Sequence, residues 1–72
     1  MYVAKGLKRD PDNPGWVMGW ATIRLNPWHL VGLYATKDIA ETKALLSGDE
    51  YEAVYGSHLL GSDDFIFEKS RK

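Results

Sequence analysis

Residues 16–25 carry the clearest two-residue alternation in the chain. Trp16, Met18, Trp20, Thr22 and Arg24 form one row, and Val17, Gly19, Ala21, Ile23 and Leu25 form the other. Successive side chains of a strand point to opposite faces, so this segment predicts a β-strand with two different surfaces. The aliphatic row suits packing beneath a helix, and the aromatic row suits a partly exposed sheet face. Asn26 and Pro27 end the strand. In residues 28–35, His29, Val31, Leu33 and Ala35 alternate with Trp28, Leu30, Gly32 and Tyr34. Both rows are largely apolar, which predicts an interior strand. Residues 1–8 read as a further strand, with Gly6 as a bulge or a point of close backbone approach. Between them, residues 9–15 (Arg-Asp-Pro-Asp-Asn-Pro-Gly) combine two prolines, two Asp, an Asn and a Gly, the chemistry of a long hairpin loop.

Residues 36–48 change to a helical period. Thr36 is the natural N-cap, with Asp38 and Glu41 as an alternative capping pair, and Gly48 stands where a helix terminates. Ile39, Ala40, Lys43, Ala44 and Leu46 gather on one side at 100° per residue. That stripe is narrow and alanine-rich, which predicts a helix lying close on a small sheet. Alternation returns in residues 51–58, a loop follows at 59–64, and residues 65–68 form a short last strand. The order is β-β-β-α-β-β, an α+β class with a small antiparallel-rich sheet and one helix on one face. Three strands joined by turns predict an antiparallel meander. Residues 1–68 make one domain, and residues 69–72 a flexible basic tail.

Composition narrows the chemistry more than the fold. The chain has 72 residues, 9 Lys and Arg against 10 Asp and Glu, and no Cys. Disulfide frameworks and thiolate metal sites are excluded. The near-neutral balance argues against a dedicated nucleic-acid binder. Charge is nonetheless uneven. Residues 37–68 hold two Lys against eight acidic side chains, whereas residues 1–36 are net positive. Neither a secretory signal nor a run long enough to span a bilayer is visible, which predicts a cytoplasmic protein away from membranes.

The run Val31-Gly32-Leu33-Tyr34-Ala35-Thr36, followed by a helix with Ala40 and Ala44 and then a strand, resembles one half of a SPOR-type peptidoglycan-binding domain. The resemblance covers fewer than half the residues. The second half of that family's pattern is missing, so no binding residue is carried over.

Three constellations bear on function. Ser57-His58 with Asp63 and Asp64 holds the residue types of a hydrolytic triad, and His29, His58, Asp63 and Asp64 could supply oxygen and imidazole metal ligands. Adjacent residues on a strand face opposite ways, so Ser57 and His58 do not converge. A partly buried His29 bonded to backbone, and a solvated acidic loop, account for the same residues. The acidic residues Asp49, Glu50, Asp63 and Asp64 form a candidate patch for steering a basic partner. Trp16, Trp20, Trp28 and Tyr34, with Arg24, form a candidate protein interface, because one helix covers only one side of a sheet and aromatics anchor interfaces. The expectation is a small non-catalytic interaction module, of accessory, inhibitory or prophage type, without cofactor or metal. It binds a protein partner or a second copy through the aromatic sheet face. The competing readings are a metal-binding or hydrolytic enzyme using His58, Asp63 and Asp64, and a single-strand nucleic-acid binder stacking bases on its tryptophans.

Overall fold

The computed structural model describes residues 2–67. Its elements are β1 (Tyr2–Val3), β2 (Trp16–Arg24), β3 (His29–Tyr34), α1 (Lys37–Ser47), β4 (Tyr51–Leu59) and β5 (Phe65–Phe67). The strands form one sheet in the order β1-β3-β2-β4-β5, so the fold is α+β as expected. The tail at residues 69–72 lies outside the described residues. No described helix is long and apolar enough to cross a membrane.

The sheet is mixed, and not an antiparallel meander. β1 runs parallel to β3, with Tyr2 beside Gly32 and Val3 beside Leu33. The expected first strand breaks after Val3, because Gly6 adopts a positive φ of 77° and turns the chain. Residues 8–10 then pair with the start of β2: the amide of Met18 donates to Lys8 O, and that of Asp10 to Trp16 O. The proline-rich loop therefore does close a hairpin, but its first arm is this short stretch, with β1 displaced to the outer side of β3.

The helix lies on the opposite face from the one its sequence context suggests. Thr22, from the aromatic row of β2, is fully buried and donates its hydroxyl to Ala40 O at 2.8 Å. Lys37 places its ammonium 5.8 Å from the Trp20 ring centroid. Ala40 and Ala44 are the buried helix residues, while Ile39 and Leu46 of the expected stripe are exposed. The physical reason is width. Alanines allow the helix axis to come close, and the Thr22 hydroxyl finds a carbonyl only at that separation.

The aliphatic row builds the core on the other side. Val17, Ala21 and Ile23 of β2 pack with Leu30 and Leu33 of β3, and Val3, Leu7, Val54 and Phe65 close around them. Leu30 reaches this side through a β-bulge. Thr22 pairs with Gly32 and Ile23 with Leu30, so Val31 is an extra residue that reverses the facing of everything before it. The two rows expected for this strand are exchanged before Val31. Leu30 enters the core, and His29 is exposed on the helix side.

Glycines let the sheet bend over this core. Gly19 and Gly56 are directly opposite on β2 and β4. A Cβ on Gly19 would meet Tyr34 O at 3.0 Å and Leu33 at 3.2 Å; one on Gly56 would overlap Ile66 O and lie 2.7 Å from the Phe65 ring. Backbone from both flanking strands therefore occupies space that side chains would need. Gly56→Val should lower unfolding free energy by about 1–3 kcal/mol, the usual cost of overpacking, and release β5. Gly61→Ala is the control: its φ of 85° is strained but its surroundings are open. Urea denaturation gives the two stabilities, and amide exchange at residues 65–67 should accelerate only in the Gly56 variant.

Candidate functional site

The five aromatic-face residues do not form one surface. Tyr34 is only 5% exposed. Its ring folds back over Gly32 and stacks on Tyr2 at 5.4 Å, and burial, then the neighbouring Tyr2, pushes its phenol above the ordinary range. Trp20 lies half-buried beneath Lys37 and packs against Tyr55 at 5.2 Å. Trp16 is half-buried on the same side. Arg24 donates from Nε to Pro27 O and sets its guanidinium 5.3 Å from the Tyr51 ring centroid. Trp28 belongs elsewhere. Its indole N–H donates to Asp63 O at 3.0 Å, and its ring meets Phe67 at 6.4 Å. The premise of an uncovered aromatic face is corrected, because the helix occupies part of that face and Trp28, in the β2–β3 turn, is bound to the β4–β5 loop.

The four acidic residues are also separated. Asp49 and Glu50 precede the nine-residue strand β4, and Asp63 and Asp64 follow it. Asp49 has different company. It shares a cleft of about 470 Å³ between α1 and β4 with Glu41 and Glu52, above Ala44, Ala53 and Tyr51. Glu41 is 3.9 Å from Lys37. Leu45 stands at the margin of this cleft, 84% exposed, beside Leu46 at 77%. In the sequence Glu41 is a capping candidate and Asp49 part of an acidic turn; that the two line one cleft depends on how the helix crosses β4, which no local pattern encodes.

Ser57 and His58 face opposite ways. On the helix side, the buried Ser57 hydroxyl donates to an Asp10 carboxylate oxygen at 2.7 Å, and the Asn13 amide donates to the same oxygen at 2.9 Å. The Asp12 N–H donates to the other oxygen at 3.0 Å. On the core side, the fully buried His58 ring uses Nδ1 against Asp64 O at 2.9 Å. A carbonyl only accepts, so Nδ1 donates in this bond, and Nε2 has no partner among the described residues. Ser57 thus fastens a loop, and His58 anchors the β4–β5 turn. His29 is exposed, with Nδ1 2.8 Å from the Tyr51 hydroxyl, which corrects the expectation of a partly buried ring bonded to backbone. No group of three or more potential metal-ligating side chains occurs among the described residues.

No family model matches the chain, and neither does any curated protein or solved structure. The SPOR likeness therefore rests on its few residues alone.

Asp10 supplies a pH test of the loop anchor. Hydrogen bonds from Asn13, then Ser57 and the Asp12 N–H, hold its carboxyl below the ordinary range. A depressed folded value means that the stabilising contribution is complete above the unfolded value of about 3.9 and disappears as pH falls through the folded one. Acid titration followed by NMR should show the Asn13 and Ser57 signals moving together in that window. In Asp10→Asn that movement should be absent.

Proposed function

We propose that this chain is a non-catalytic protein-interaction module whose cleft between α1 and β4 receives an apolar segment bearing lysine or arginine. The supporting observation is that Leu45, almost wholly in water, lines the same cleft as the acidic residues Glu41 and Asp49. Removing such a leucine from water is worth about 1.5–3 kcal/mol, whereas exposed carboxylates mainly guide encounter and reject acidic partners. Apolar anchoring therefore supplies the affinity and charge supplies the choice. The same carboxylates repel phosphate, which sets this surface against single-stranded nucleic acid. A hydrolytic or metal role through His58 would need its enclosed ring to leave the core. The binding surface proposed here differs from the aromatic sheet face expected at first, because the helix already lies on part of that face.

Panning a random peptide library against the purified chain tests the proposal. Enriched peptides should interleave Lys or Arg with Leu, Ile or Phe. Glu41→Lys with Asp49→Lys should weaken a selected peptide about tenfold or more, and rising salt should weaken it in the wild type. Enrichment of acidic peptides, or unchanged affinity in a folded double variant, overturns it.

A further inference from the structure

We infer that two copies of this chain pair through the outer faces of their α1 helices, running in the same direction about a two-fold axis parallel to both. The inference rests on the reading of Leu45 and Glu41 given above and names what they meet, a second copy. Ala40 and Ala44 fix the orientation of α1, because they are its buried residues. At 100° per residue, Asp38 and Thr42 then point away from the sheet, and both are exposed. Leu45 and Leu46 stand on either side of that line, 84% and 77% exposed. Contacts with the sheet identify the two flanks. Glu41 and Leu45 line the cleft towards β4, whereas Ile39 and Lys43 line a hollow on the other side with Tyr2, Tyr34 and Ala35. Glu41 shares its flank with Lys37, at 3.9 Å, but Lys43 has no carboxylate partner among the described residues. The stripe of Ile39, Lys43 and Leu46 is thus an apolar segment bearing lysine, the chemistry that the opposite flank is suited to receive.

Charge selects the direction. A two-fold axis parallel to the helices sets each flank against the opposite flank of the other copy. Lys43 of each copy then meets Glu41 of the other, offset by two residues or about 3 Å along the axis, and this happens twice. Leu45 of each meets Leu46 of the other, so four leucines that are exposed in the single chain leave water together. A two-fold axis running across the helices would instead make them antiparallel and set each flank against itself, lysine towards lysine and glutamate towards glutamate. In the parallel pair Asp38 faces its own copy, the one opposing contact, at an exposed end of the helix. Every residue of the contact meets its counterpart reciprocally, so the assembly closes at two copies.

The absence of cysteine makes a direct test available. Thr42→Cys and Asp38→Cys should each form a reductant-sensitive dimer under mild oxidation, and Leu60→Cys, in the exposed β4–β5 loop, should form little. Sedimentation should show the wild type dimerising with concentration. Lys43→Glu and Glu41→Lys should each weaken the dimer about tenfold or more, since both copies then carry like charges at the contact. An equimolar mixture of those two variants should recover a heterodimer by native mass spectrometry, because both cross-pairs are again opposite in charge. Circular dichroism checks that the variants fold. If one does not, the cysteine results and wild-type sedimentation decide the matter. Lys43→Glu keeps Glu41, Leu45 and Asp49, so it should still bind selected peptides. Peptide binding by a chain that stays monomeric therefore sinks this inference alone, and a dimer that selects no peptide sinks the cleft reading alone. A wild type that remains monomeric at millimolar concentration, a dimer undiminished in Lys43→Glu, or cross-linking at position 42 without position 38 overturns the parallel pair.

Discussion

The absence of side chains at Gly19 and Gly56 is the constraint on which most of this fold depends. The two residues face each other across the central strand pair, and the neighbouring strands use the vacated space. A five-stranded sheet of this size has too little area to bury a core by lying flat under one helix. Bent at this line, it brings Phe65 from one margin and Leu7 from the other against Val17, Ala21, Ile23 and Leu33. Trp28, itself partly in water, ties the β2–β3 turn to the β4–β5 loop. The sheet thereby supplies most of its own cover on that side. The helix is left to cover the other face, where its two alanines suffice.

That division of labour explains why the helix is so sparingly apolar beneath and so apolar above. Its contact with the sheet is short-range, through Ala40, Ala44 and the Thr22 hydroxyl. Nothing requires Leu45 or Leu46 for folding, and both remain in water. Scattered exposed leucines are ordinary on protein surfaces. Two that are adjacent, almost wholly exposed and beside a rim of carboxylates form a more specific surface.

Local chemistry made much of the architecture legible. Thr36 caps the helix as its type predicts, accepting the Ile39 N–H, and Gly48 ends it. Asn and Pro close β2, and alternation locates β2 and β4 to within a residue. What stayed hidden was facing. Alternation divides a strand into two rows but does not say which row meets the helix, and here the decision turned on a single buried hydroxyl. The bulge at Val31 exchanged the rows within β3, so His29 and Leu30 each appeared on the side opposite to expectation. For the site residues the obstacle was distance along the chain. Asp10 and Ser57 are 47 positions apart, and Trp28 and Asp63 are 35. Neither bond leaves a periodic trace.

Geometry also separates the roles of residues that look alike in the sequence. Asp63 and Asp64 resemble Asp49 and Glu50 as acidic pairs in turns. Yet the first pair uses its backbone carbonyls to receive Trp28 and His58, whereas Asp49 lines a cleft with Glu41. Replacing either carboxylate of the first pair leaves those carbonyls in place. Charge at Asp49 acts instead on whatever approaches the cleft. A small chain can thus put one overall acidic excess to two uses, because the backbone of one pair is engaged in holding a loop while a side chain of the other lines a cleft.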